Sequence, residues 1–244
     1  MAMGKIVAIG GGELRLKETM PIDKYIVEFS ENSTPKLLFI PTASGDSRGY
    51  INSINKVYGE HLGCEVDTLL LVENNIPQNE IERKILSSNI IYVGGGDTVK
   101  MMEIWRSNKI DKYLKKAYEN NIVLSGLSAG SICWFLKGHS DSNTYTNRDG
   151  ILNYTQATGI GLIPAIHCPH YNEKGREAFD NMMKTEKISG IAIENNCAMV
   201  IKDDMYKIIK SNNNRKAYLL KNDNGNVNKS ELNTIEFSPL ATIL

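Results

Sequence analysis

Residues 122–135 read IVLSGLSAGSICWF. A short apolar strand, Ile122 to Ser125, runs into Gly126-Leu127-Ser128-Ala129-Gly130-Ser131, and an apolar segment (Ile132, Cys133, Trp134, Phe135) follows. The form is G-x-S-x-G with Ser128 at the apex, which fits a nucleophile elbow: a tight turn lifts the hydroxyl clear of the backbone, and small neighbours let the turn close. A helix starting after the serine would aim N–H groups and partial positive charge at the same place, and such donors stabilise an oxyanion. A plain strand–helix turn that uses Gly and Ser for tightness explains the pentapeptide equally well.

Upstream, strand-like and helix-like segments alternate. Lys5 to Ile9 is an apolar run ending in Gly10, Gly11 and Gly12; Leu37 to Pro41 is another; Val66 to Val72 reads as a buried strand; Asn89 to Val93 runs into Gly94, Gly95 and Gly96. Between them, Ile51, Ile54, Val57, Tyr58 and Leu62 fall near one face of a helix over 49–62, and Met101, Trp105, Tyr113, Leu114, Ala117 and Tyr118 recur at helical spacing. Continuous apolar strands alternating with amphipathic helices predict a mostly parallel central sheet covered on both faces, an α/β fold of three layers. Functional groups then gather at the carboxyl ends of the strands, where the glycine triplets and the GLSAGS turn lie. Downstream, residues 137–158 are polar and predict a long excursion or short strands. Residues 172–184 look helical, and residues 188–193, 198–201, 206–209 and 217–220 predict short extra strands near the C-terminus. No repeat, Pro-rich linker or boundary is visible, so residues 1–244 are expected to form a single catalytic domain.

Composition narrows the function classes. The 244 residues carry 28 Lys plus Arg against 28 Asp plus Glu, with 41% hydrophobic and 23% charged residues. No basic excess suggests nucleic acid or anionic membrane as a partner, and no apolar stretch reaches the ~20 residues of a membrane helix. Met1 to Ile9 is too short and too quickly strand-like for a secretory signal. Cys64, Cys133, Cys168 and Cys197 lie far apart without a CxxC pair, which fits reduced thiols and a cytoplasmic location.

A serine hydroxyl needs a base at neutral pH, and the histidines are His61, His139, His167 and His170. His61 falls in a predicted helix and His139 in a polar loop. His167 and His170 flank Cys168-Pro169 after the apolar stretch 160–166, a strand-end loop suited to a base. A metal site of His167, Cys168 and His170 competes, although Pro169 works against regular ligand spacing and no second ligand cluster is visible. For the acid that orients the base, Glu194 follows Ile191-Ala192-Ile193; it reads equally as an exposed turn glutamate, and Asp141 and Asp149 are rivals.

Taken together the blocks resemble the peptidase E and cyanophycinase family of serine peptidases, whose fold is like that of the class I glutamine amidotransferases. The resemblance rests on Gly10-Gly11-Gly12-Glu13, Pro41-Thr42-Ala43-Ser44, Val93-Gly94-Gly95-Gly96-Asp97-Thr98, Gly126-Leu127-Ser128-Ala129-Gly130-Ser131, Gly159-Ile160-Gly161-Leu162-Ile163-Pro164, Pro169-His170-Tyr171 and Gly190-Ile191-Ala192-Ile193-Glu194-Asn195, in family order. It implies Ser128 as nucleophile, His170 as base, Glu194 as orienting acid with Asp149 second. It also implies oxyanion donors from Ala129 and the Gly95-Gly96 turn, here assigned to Gly96. The order Ser, His, Glu differs from that of α/β-hydrolases. The implied reaction is acyl transfer on a short peptide, of dipeptidase size, with an N-terminal Asp-X peptide as the first expectation and a β-aspartyl peptide as the alternative, and with no cofactor or metal. A cation should hold the substrate carboxylate; Arg176 is the first candidate, with Lys174 and Arg148 behind it, and the stretch from His170 to Arg176 is shorter than in peptidase E. A homodimer through a helical face or the C-terminal strands is a further expectation.

Rival functions fare less well. The dinucleotide fingerprint fails, because its third glycine would fall on Arg15 or Val99. A glutamine amidotransferase needs Cys at the elbow, where this chain has Ser128. A non-catalytic binding protein on the same scaffold remains, and covalent trapping of Ser128 separates it from a peptidase.

Overall fold

The computed structural model of the chain describes residues 4–73, 75–146 and 154–244. Its first sheet is built on β1 (Lys5–Ile9), β2 (Lys36–Ile40), β3 (Glu65–Thr68), β4 (Ile90–Val93) and β5 (Val123–Leu127), all parallel in the order β1-β5-β4-β2-β3. Strands consecutive in the chain are joined through helices: α1 (Met20–Phe29), α2 (Arg48–Ile54), α3 (Gln78–Leu86), α4 (Thr98–Ser107) and α5 (Ile110–Glu119). Alternate residues of one strand serve opposite layers, as the pleat requires. Val7 and Ile9 pack with Ile22, Ile26, Ile54 and Tyr58 on one side; Ile6 and Ala8 pack with Ile81, Met101, Trp105 and Leu114 on the other. Each fully buried Val, Ile, Leu or Met among them contributes roughly 1.5–3 kcal/mol of transfer free energy. The three-layer α/β architecture expected from the sequence is present.

The second half adds a second sheet. The strands are β6 (Phe135–Ser140), β7 (Thr155–Thr158), β8 (Ile163–Cys168), β9 (Gly190–Ile193), β10 (Cys197–Lys202), β11 (Met205–Lys210), β12 (Ala217–Asp223), β13 (Asn226–Leu232) and β14 (Ser238–Pro239). Of these, β10, β11 and β14 extend the first sheet antiparallel beyond β1, while β13-β12-β9-β8-β6-β7 form a separate mixed sheet. Its inner face (Phe135, Ile163, Ala165, Ile191, Ile193) shares a core with the first sheet. Its outer face packs on Phe179 and Met183.

Four local expectations need correction. The buried strand expected over 66–72 is the short edge strand β3 (Glu65–Thr68), none of whose residues is buried, because only β2 covers it in the sheet. The helix over 101–118 is two helices, because Lys109 takes a left-handed conformation (φ 57°) between them; the bend lets Trp105 and Leu114 both reach one core. The helix over 49–62 is regular only to Ile54 and continues as a wider π-type turn over Asn55–His61. The helix over 172–184 shrinks to Ala178–Met183, since Gly175 has φ 94° and the chain before it runs in single turns.

Candidate active site

β5 ends at Leu127, and Ser128 follows with φ 58° and ψ −114°. For a residue with a Cβ this conformation costs of order 1–3 kcal/mol, so the surroundings must enforce it. The flanking glycines show how: a Cβ at Gly126 would overlap the carbonyl of Gly130, and one at Gly130 would overlap the carbonyl of Val93. The segment after the turn is a single helical turn, Ala129–Ile132, shorter than a helix with a developed macrodipole. What it offers instead is local N–H groups. Ala129 N–H and Gly96 N–H have no acceptor among the described residues. Gly95 stands beside the serine, where a Cβ would lie 3.3 Å from that of Ser128; a Cβ on Gly96 would run into the carbonyl of Ala43. Ser128 itself is half-buried, and its hydroxyl makes no hydrogen bond among the described residues.

His170 lies two residues beyond β8. Its backbone N–H donates to Gly10 O at 2.8 Å, and that of Ser128 donates to Ile9 O at 3.2 Å. Nucleophile and base are thus tied to consecutive carbonyls at the end of β1, one on each flank. The chain beside them is glycine, which lets the His170 ring and Asn195 close on the backbone: a Cβ on Gly11 would collide with His170 Nδ1 and Asn195 Oδ1.

The ring of His170 is oriented through Nδ1. That atom lies 2.7 Å from Asn195 Oδ1 and 3.2 Å from Glu173 Oε1, while Asn195 Nδ2 donates to Glu173 Oε1 at 2.9 Å. Both neighbours of Nδ1 are acceptors, so Nδ1 carries the ring proton and Nε2 keeps its lone pair, the tautomer a general base needs. Asn195 is held in turn by Asn172 Oδ1, which accepts its backbone N–H at 2.7 Å. The His170 hydrogen bond pulls the Glu173 carboxyl down to about 2, against partial burial. No hydrogen bond joins the Ser128 hydroxyl to the His170 ring; such contacts are often long before substrate binds.

The other candidates lie elsewhere. Glu194 accepts Lys216 N–H on Oε2 at 3.1 Å, where β9 meets β12. Glu173 is the carboxylate at ion-pair distance from His170 among the described residues. Its signal was present in the sequence as His-x-x-Glu, which one turn brings together, but a helix expected over 172–184 concealed it. Arg176 is 3% exposed, donates to His139 O at 3.0 Å and Asp141 Oδ2 at 3.3 Å, and stacks on Tyr154. It is a strut between segments, and Asp141 is its partner. Lys174 is exposed with no partner among the described residues; Arg148 and Asp149 lie outside them. His61 sits on the π-type turn. His167 and Cys168 turn to opposite faces of β8: His167 Nε2 is 2.9 Å from Ser131 Oγ, and Cys168 Sγ is 3.6 Å from His139 Nδ1. No three His, Cys, Asp or Glu side chains among the described residues are grouped to hold a metal.

A cleft of about 470 Å³ opens beside the elbow, lined by Glu13, Arg15, Ser47, Tyr50, Gly95 and Leu127 among others. Arg15 is exposed there and forms no ion pair among the described residues. Among the described residues no helix is long and apolar enough to cross a membrane.

Among the described residues, a strained serine at a strand end, a histidine with its base nitrogen free, unpaired backbone donors and an adjoining cleft are the parts of a serine hydrolase acting by acyl transfer. The sequence model of peptidase family S51 matches residues 6–209. The chain belongs to that family and is a serine peptidase. It is 33% identical over 221 residues, 88% of this chain and 91% of the relative, to the Bacillus subtilis (strain 168) protein named Uncharacterized peptidase YgaJ. A Listeria monocytogenes relative, Uncharacterized peptidase Lmo0363, is 25% identical over 173 residues, 70% of this chain and 81% of that protein. Among solved structures, a peptidase from an acI-B1 actinobacterium superposes with a TM-score of 0.74 at 20% identity, over 98% of both chains; at that identity the likeness is one of fold.

Proposed function

We propose that the protein hydrolyses short peptides with Ser128 as nucleophile and His170 as general base. The observation that carries this reading is the pairing of a strained serine, unbonded among the described residues, with a histidine tied to the first carbonyl after β1. Ser128 Oγ attacks the scissile carbonyl carbon and its proton passes to His170 Nε2. Negative charge develops on the former carbonyl oxygen, which Ala129 N–H and the Gly95–Gly96 turn receive. The C–N bond breaks, the proton on Nε2 leaves with the amine, and water repeats the sequence on the acyl-enzyme, releasing the acid and restoring Ser128.

The imidazolium formed midway needs a carboxylate, and Glu173, with Asn195, supports that role by its contact with Nδ1. Glu194, the residue the family resemblance implies, would have to leave the Lys216 amide to serve instead. A short peptide fits the size of the cleft. For a substrate carboxylate, Arg15 takes the place in this reading that the sequence suggested for Arg176, since it lies in the cleft with its guanidinium unpaired among the described residues. An N-terminal Asp-X peptide is the substrate to try first.

The test is covalent. A fluorophosphonate should add one equivalent to Ser128, read by intact mass and peptide mapping. Labelling should vanish in His170→Ala. A folded protein that stays unmodified would instead indicate a binding role for the same scaffold.

A further inference from the structure

Beneath the elbow lies a second serine and a second histidine that the proposed reaction does not use. Ser131 and His167 are both fully buried. Ser131 Oγ is 2.7 Å from Ser128 O and 2.9 Å from His167 Nε2, and His167 Nδ1 is 2.9 Å from Ile191 O. The ring is clamped face to face on Phe135, centroids 4.5 Å apart.

We propose that Ser131 is a positioning residue for the oxyanion-binding peptide, and that His167 regulates it by competing for its hydroxyl proton. The inference rests on the nucleophile reading above. Ser128 O and Ala129 N–H belong to one planar trans peptide, so whatever fixes the carbonyl fixes the N–H pointing the opposite way. Ser128 O accepts from Ser131 N at 2.9 Å, Ile132 N at 3.0 Å and the Ser131 hydroxyl. Three donors drawing on one carbonyl hold the plane in its strained setting and polarise it, making Ala129 N–H a stronger donor.

A proton count sets the competition. Ser128 O and Ile191 O are carbonyls and only accept. Burial pulls the His167 pKa down to about 3, so the neutral ring carries one proton and Ser131 carries one. Three short contacts therefore share two protons. With the ring proton on Nδ1 for Ile191 O, the Ser131 proton can serve Nε2 or Ser128 O, but not both at once.

The test is kinetic, with rates expressed per fluorophosphonate-titrated site. Ser131→Ala should lower kcat about 10- to 100-fold, short of the full loss of an oxyanion donor, with KM within about twofold. A peptide aldehyde, whose tetrahedral adduct needs the same N–H, should lose affinity by the same factor as kcat/KM. His167→Phe, which keeps the stack on Phe135 and removes both ring nitrogens, should retain kcat or raise it. A Ser131→Ala protein that melts earlier but keeps kcat and aldehyde affinity per site would overturn the proposal. If Ser131→Ala does not fold, a drop of tenfold or more in His167→Phe would overturn it alone. Wild-type protein that takes no label at Ser128 would instead overturn the underlying reading, a separate outcome.

Discussion

Ser128 with His170 and Ser131 with His167 are two serine–histidine pairs on the same two segments, each residue three positions from its counterpart. In the inner pair every polar atom has a neighbour: hydroxyl to ring at 2.9 Å, ring to carbonyl at 2.9 Å, and no surface exposed. Among the described residues, the serine of the outer pair is backbone-strained with its hydroxyl unbonded, and the histidine has one nitrogen engaged and the other without a partner. Residue type is the same in both, so type does not assign chemistry. What separates them is engagement. A serine whose hydroxyl is held in a dry core between two partners that compete for its one proton is a strut, and one whose conformation is forced and whose hydroxyl is open can be drawn into reaction.

The largest effect should come from breaking the outer pair. Ser128→Ala or His170→Ala should lower kcat by about three orders of magnitude or more, measured by release of product from an Asp-X dipeptide, with the thermal transition little moved. Ser131→Ala should leave label on Ser128, if more slowly. Transfer of the label to Ser131 in any variant would reverse the assignment of the pairs.

The inner pair should show itself in stability against pH. The folded-state pKa of His167 is lowered to about 3 by burial, below an unfolded value near 6.5. Between those values the unfolded chain binds a proton that the folded one refuses, so stability falls as pH drops from about 6.5 towards 3. The expected size is a few kcal/mol at most. His167→Phe should reduce the slope of that part of the curve, to which buried His139, held down to about 4, also contributes, read as Tm against pH by scanning calorimetry; an unchanged slope would mean the ring is charged in the fold.

Arg176 extends the contrast to a charge. Buried against His139 O and Asp141, it should act on stability alone: Arg176→Met should cost about 1–3 kcal/mol and leave KM for Asp-X unchanged. A KM rise of tenfold with normal Tm would return it to the substrate.

Much of this was legible in the sequence, for reasons of physics. Strands buried on both faces are continuous apolar runs, so β1, β2, β4 and β5 could be located to within two residues at each end. The elbow was legible because only glycine fits where Gly126 meets the Gly130 carbonyl. The second sheet was not, because β6 and β7 pair across a polar excursion that no periodicity reports. The burial of Arg176 was hidden likewise: its partners Asp141 and Tyr154 lie in segments whose meeting is set by that sheet. Glu173 is hidden by local conformation: the apolar spacing of 172–184 reads as a helix, and the positive φ of Gly175 breaks it into turns that bring Glu173 to His170.

The smallest and most discriminating comparison is between two glutamates. Glu173 touches the ring of His170 but is about half exposed, with its side chain 49% accessible, so solvent screens the charge it offers. Replacing the charge while keeping the shape, Glu173→Gln, should therefore lower kcat only about tenfold, with KM nearly constant. The carboxyl is held down to about 2. It therefore stays ionised at any pH where the protein works, and the variant should lose rate uniformly across the profile. Glu194→Gln should change kcat by less than about twofold and act instead on the β9–β12 edge, where its Oε2 accepts the Lys216 amide. The opposite result, a large loss at Glu194 and none at Glu173, would mean that the loop 170–176 rearranges when substrate enters. The resting hydrogen bonds of His170 would then describe a storage position for the base, and the family resemblance would have named the working acid where the resting geometry does not.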